Sequence, residues 1–106
     1  MLERDYQVRL IKKLRKLFPG CVILKNDSDY MQGVPDLTIL FRESWGMLEV
    51  KASRKSPVQP NQEFYVHELN EMSFAAFIYP ENEEEILHDL QQALYSRRAA
   101  RLLKRQ

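Results

Sequence analysis

Two short runs of this 106-residue sequence carry side chains able to work on a phosphate ester. Gly33-Val34-Pro35-Asp36 sets a carboxylate at the start of one apolar run, and Glu49-Val50-Lys51 ends the next. If both runs are strands, alternation points Glu49 and Lys51 to one face and Leu48 and Val50 to the other. A hairpin between the runs brings the start of the first strand opposite the end of the second, so Asp36 faces Glu49 and Lys51. Two carboxylates that close repel unless a cation lies between them, and hard oxygen ligands suit Mg²⁺ or Mn²⁺. A lysine beside such an ion can orient or deprotonate an attacking water and stabilise charge developing on a phosphate. Taken alone, Glu-X-Lys reads as a solvated ion pair and Asp36 as a turn residue. Their combination with a proline-led strand start predicts metal-assisted phosphodiester hydrolysis.

The elements that must position these residues follow from periodicity. Tyr6, Leu10, Ile11, Leu14, Leu17 and Phe18 recur at helical spacing over Glu3 to Phe18, and Pro19-Gly20 stops that helix. Cys21 to Lys25 reads as a short strand followed by a turn at Asn26-Asp27-Ser28-Asp29. Leu37 to Phe41 and Met47 to Lys51 are the hairpin strands, joined by Arg42 to Gly46. After a polar loop from Ala52 to Gln59, Pro60 opens a second helix with Gln62, Tyr65, Val66, Leu69 and Met72 on one face. Phe74 to Tyr79 is wholly apolar, which suggests a strand buried on both faces. A last helix begins near Asn82, its apolar side carried by Ile86, Leu87, Leu90, Leu94 and Leu102-Leu103. The order predicts one α/β domain over residues 1–106, with a small mixed sheet flanked by helices and a C-terminal helix.

Composition agrees with an ordinary globular chain: 44% hydrophobic, 29% charged and a formal charge of +1. No apolar run is long enough to span a bilayer, and the first residues do not read as a secretory signal, so the expected location is the cytoplasm. The single cysteine, Cys21, excludes an intramolecular disulfide and a cysteine-rich zinc site, and its apolar surroundings predict a buried, inert thiol. Residues 4–16 and the C-terminus are basic, with an acidic stretch from Glu81 to Asp89 between them. That pattern suits a bound polyanion, or simply solvated helix surfaces.

With Gly-Val-Pro-Asp and Glu-Val-Lys on one hairpin, the chain resembles the PD-(D/E)XK nuclease superfamily. Its Gly-Val-Pro-Asp form with a following glutamine helix resembles the VRR-NUC branch of small viral and repair nucleases. The resemblance covers Glu3 to about Tyr79 and implies a restriction-endonuclease-like core of αβββαβ order. It also implies that Asp36, Glu49 and the Val50 backbone carbonyl hold Mg²⁺ or Mn²⁺, and that Lys51 is the catalytic lysine. By helical spacing Glu3 lines up with Leu10, Leu14 and Leu17, so it is either an acid aimed toward the interior or a first-turn residue favoured by the helix dipole, and it matches the acid that relatives bring from the first helix. Gln62 matches the glutamine after the Glu-X-Lys strand, or else caps its helix, while Ser56-Pro57-Val58-Gln59 keeps Gln59 open as the match.

The implied activity is an Mg²⁺- or Mn²⁺-dependent endodeoxyribonuclease of branched DNA, a phage-type Holliday junction resolvase acting as a homodimer, in the host-cell cytoplasm if viral. A less selective nicking or single-strand nuclease, or an inactive DNA- or protein-binding module on the same fold, are the alternatives. Candidate phosphate contacts are Lys25, Arg42, Arg54, Lys55 and the basic residues of both terminal helices. Tyr30 is placed to stack on a base or to sit as a core or rim aromatic. Nothing resembles a base-reading helix, so recognition by shape is expected. The last helix, through Ala93, Leu94, Tyr95 and Leu102-Leu103, is either a dimer interface or a cover for the sheet.

Overall fold

The computed structural model describes the backbone of residues 1–105 and the side chains as far as Ser96. Apolar residues at helical spacing fold Glu3–Leu17 into α1, which buries Tyr6, Leu10, Ile11 and Leu14. The helix ends at Pro19-Gly20, where Gly20 takes a φ of 84°, a left-handed conformation glycine adopts without strain. Four strands follow the predicted order: β1 (Val22–Lys25), β2 (Leu37–Phe41), β3 (Ser44–Val50) and β4 (Phe74–Ile78). They lie side by side in chain order; β1–β2 and β2–β3 are antiparallel, and β3–β4 is parallel. A parallel pair needs a crossover, here supplied by α2 (Pro60–Met72). After a 3₁₀ turn at Pro80–Asn82, α3 (Glu83–Arg105) completes the chain. Among the described residues no helix is long and apolar enough to cross a membrane.

Alternation divides the sheet. Leu37, Ile39, Phe41, Leu48, Val50 and Ile78 join α1 and the α3 residues Leu87, Leu90 and Leu94 in one buried cluster. The opposite face carries Glu49 and Lys51, and α2 lies over its β3–β4 half. Across the β1–β2 half of that face the apolar Val22, Leu24 and Leu40 stay exposed. An ion pair between Lys13 and Glu83 joins α1 to the start of α3.

Four sequence expectations are corrected. The hairpin connection is Arg42-Glu43 alone, with Arg42 at a φ of 57°, and Ser44, Trp45 and Gly46 belong to β3. Gly46 is needed inside the strand because a Cβ there would meet Leu90 Cδ1 at 2.7 Å; it serves close helix packing and not a turn. Second, β4 is an edge strand, so Phe74, Ala76 and Phe77 are only half-buried. Third, Met72 does not share the inward face of α2: it is 65% exposed, whereas Gln62, Tyr65, Val66 and Leu69 are half-buried. Fourth, Cys21 is half-buried, although burial still pushes its thiol pKa up and away from reactivity.

The described part of α3, as far as Ser96, packs on the sheet. Leu94 lies in the core, and Tyr95 stacks on Phe18 at 5.7 Å while its hydroxyl donates to the Leu17 carbonyl. Leu102-Leu103 and the C-terminal basic residues lie outside the described side chains.

Candidate active site

Asp36 is held from both sides. The Asn26 amide donates to the Asp36 carbonyl at 2.8 Å, and Asn26 Nδ2 donates to Pro35 O and Thr38 Oγ1, both at 2.9 Å, which fixes the entry to β2. On its other side, Asp36 Oδ2 accepts the Val50 backbone N–H at 2.8 Å. The aspartate is thereby stapled to the peptide between Glu49 and Lys51. The segment leading to it packs against the first turn of α2: Gly33 has a φ of 92°, and a Cβ there would lie 2.5 Å from Asn61 Cβ. Only glycine fits such a close approach, which gives the first residue of Gly-Val-Pro-Asp a physical reason.

Glu49 and Lys51 are 4% and 7% exposed, so both charges sit in a largely water-free environment. Gln62 joins them. Its Nε2 donates to Glu49 Oε2 at 2.9 Å, and its Oε1 accepts from Lys51 Nζ at 2.9 Å and from the Gln59 backbone N–H at 3.0 Å. The Gln62 side chain thus bridges Glu49 and Lys51 and also caps the start of α2. Gln59 occupies the N-cap position, exposed, and its contact with this network is through its backbone. Lys51 Nζ also donates to the Pro57 carbonyl at 3.0 Å and stands 3.6 Å from Glu49 Oε2. Two of its three N–H donors therefore go to neutral oxygens, and the third faces the Glu49 carboxylate.

The electrostatics follow from burial. Desolvation is the largest cause raising Glu49, followed by the charge of Asp36; Lys51 opposes them, and the carboxyl pKa stands at about 7. Asp36 is raised by burial, with the Val50 amide and Lys51 opposing. Glu3, exposed in the first turn of α1, has its carboxyl raised by partial desolvation and by Asp36, with Lys51 again lowering it. Three carboxylates thus share one field with a single lysine. A divalent cation would supply the missing counter-charge, and the oxygens of Asp36 and Glu49, joined by the Val50 carbonyl that the resemblance implies, would be the hard donors Mg²⁺ or Mn²⁺ prefers. Among the described residues no three His, Cys, Asp or Glu side chains converge as a ready-made cage. Any ion would rest on few protein ligands, as Mg²⁺ sites commonly do.

Of the candidate DNA contacts, Lys25 ends β1 next to the Asn26–Asp36 bond, and Arg54 and Lys55 are exposed in the loop after Lys51. Tyr30 is 87% exposed, which excludes a core role. Arg42 is not brought to the site. It occupies the β2–β3 turn, six residue steps or roughly 20 Å along the strand from Asp36, with its guanidinium 4.7 Å from the Phe41 ring centre. The antiparallel hairpin sends its turn and its open end to opposite sides of the sheet. Sequence reasoning missed Asn26, read as a turn residue, and the Pro57 carbonyl, which carries no side-chain signal at all. Comparison with family models, curated proteins and solved structures finds no match for this chain.

Proposed function

We propose that this chain is an Mg²⁺- or Mn²⁺-dependent endodeoxyribonuclease with a PD-(D/E)XK-type site of Asp36, Glu49, Lys51 and Gln62, and Glu3 at its edge. One observation carries the reading: Gln62 bonds both Glu49 and Lys51 while Asp36 is bonded to the amide between them. A surface ion pair needs none of those bonds, and burying two carboxylates with one lysine is costly unless the arrangement is used.

Hydrolysis of a phosphodiester forms a bond from water oxygen to phosphorus and breaks the bond to the leaving oxygen, yielding a phosphomonoester and an alcohol. Asp36 and Glu49 would hold the ion, which supplies Lewis-acid stabilisation of the phosphate charge when bound. The N–H of Lys51 that faces Glu49 would be shared with a phosphate oxygen or the attacking water. Gln62 and the Pro57 carbonyl hold the ammonium in one orientation, so no reorganisation is needed as charge develops. Burial of Glu49 and Lys51 keeps bulk water from screening them.

The resemblance supports branched DNA as the substrate, four-way junctions in particular, cut by a homodimer whose two-fold axis relates paired nicks. Cleavage of four-way, flap, linear duplex and single-stranded DNA in Mg²⁺ tests this. Symmetric nicks confined to the junction are expected. Equal cutting of all four substrates would make it a less selective nuclease. Undiminished cutting by Asp36→Asn or Lys51→Ala would refute the site.

A further inference from the structure

A cavity of about 250 Å³ opens beside Lys51 and belongs to none of the roles assigned so far. Its lining includes Lys51, Arg54, Ser56, Glu63, Phe77 and Tyr79. The aromatic side chains are there by register. Glu49 pairs with Phe77 across β3 and β4, so alternation puts Phe77 and Tyr79 on the same face as Glu49 and Lys51. Both are half-buried.

The loop that forms the opposite wall is preformed. Ser53 N–H donates to Ser56 Oγ at 3.1 Å and Lys55 N–H to Ser53 Oγ at 3.2 Å. Arg54 N–H donates to Glu81 Oε1 at 3.1 Å, which anchors the loop to the chain after β4 while the Arg54 side chain remains exposed. Lys51 Nζ holds the loop's far end through Pro57 O. Little ordering remains to be done when a ligand enters.

Resting on the nuclease reading above, we infer that this cavity seats one unstacked nucleobase of the DNA strand, next to the phosphate that is cut. Aromatic side chains take the flat face of a base, and the Arg54 guanidinium takes the adjoining phosphate. Glu63, in the first turn of α2, repels that phosphate and so turns the nucleotide with its phosphate toward Arg54. The same carboxylate accepts from an exocyclic amino group, which cytosine and adenine carry and thymine lacks. A base stacked in duplex DNA cannot enter a cavity of this kind. The substrate is therefore DNA with an unpaired or easily extruded nucleotide at the cut, as branch points and single strands provide, and amino-bearing bases are favoured there.

The test uses the full chain in a chelator, where no cleavage occurs, with dCMP and dTMP titrated separately and backbone amide shifts followed by NMR. Shifts are expected to centre on Arg54, Ser56, Phe77 and Tyr79, with dCMP binding about fivefold tighter than dTMP. Arg54→Ala should weaken both nucleotides about fivefold, and Glu63→Gln should remove the difference between them. Shifts centred elsewhere, no shifts, or equal affinities in the parent overturn the assignment. A chain that seats dCMP here but never cuts DNA refutes the nuclease reading and leaves a nucleotide pocket; one that cuts DNA without seating dCMP refutes the pocket alone.

Discussion

Glu49 is the residue at which the site's chemistry and the stability of the fold meet. Its carboxyl pKa is raised from 4.5 to about 7 in the folded chain, so folding favours the neutral acid. The stabilisation from that proton is full below about pH 4.5 and is lost as pH rises through about 7, because the unfolded carboxyl ionises freely while the buried one does not. The metal-free protein should therefore lose on the order of 3 kcal/mol between those limits from this group. Glu49→Gln should abolish most of the slope and leave the metal-free variant more stable than the parent at pH 8. Urea denaturation of both proteins across pH in a chelator checks this, and a parent whose stability rises over that interval would contradict it. The neighbouring glutamine gives a second residue-scale contrast. Gln62→Ala strands a buried carboxylate and a buried ammonium, so it should cost about 1–3 kcal/mol as well as most of the cleavage activity. Gln59→Ala, at an exposed cap bonded through its backbone, should cost under about 1 kcal/mol, and the pair measured by thermal unfolding and junction cleavage assigns the motif glutamine.

At the scale of elements, the joint between the Gly33 segment and the first turn of α2 couples Asp36 to Gln62. Gly33→Ala forces a left-handed φ on a residue with a Cβ and drives that carbon against Asn61, whose Cβ and backbone carbon lie at 2.5 and 2.8 Å. The backbone conformation alone should cost about 1–2 kcal/mol, with the clash adding to it. Because that shift separates the strand carrying Asp36 from the helix carrying Gln62, cleavage should fall further than the unfolded fraction explains. Urea titration beside single-turnover cleavage separates the two effects. The same elements show why some of this was legible in advance and some was not. The periods of α1 and of the hairpin strands are local, so Asp36 could be placed opposite Glu49 and Lys51 from alternation and chain reversal alone. Gly46 misled because glycine marks turns and close packing alike, and only the position of Leu90 on α3 tells them apart. The edge position of β4 depends on where a crossover lands in the sheet, which no local pattern encodes. Gln62 bonding three partners at once needed α2 and the Pro57 loop in place.

Across the whole molecule the net charge of +1 conceals an uneven distribution, and the hairpin decides which cations can serve the site. Lys25, Arg54 and Lys55 lie at the end of the sheet that carries Asp36 and Glu49, whereas Arg42 lies at the other end against Phe41 and Tyr95. On the nuclease reading, a phosphate backbone seated beside the carboxylate cluster would be held by the first group, since exposed charges further apart than about 8 Å interact weakly at physiological salt. Each lysine or arginine that neutralises a phosphate steepens the dependence of log affinity on log salt by about 0.9 for duplex DNA, or about 0.7 for a single strand. Removing Lys25, Arg54 or Lys55 by alanine substitution should therefore flatten the salt slope by nearly one unit each for a branched duplex, and the three together by between two and three. Arg42→Ala should leave the slope as it is while lowering stability slightly, because it removes a cation stacked on two aromatic rings. Calcium in place of magnesium would allow binding to be followed without turnover, by fluorescence anisotropy of a labelled junction from low to moderate salt. A slope that falls with Arg42→Ala and stays constant for Arg54→Ala would move the DNA to the turn end of the hairpin and separate it from the site altogether.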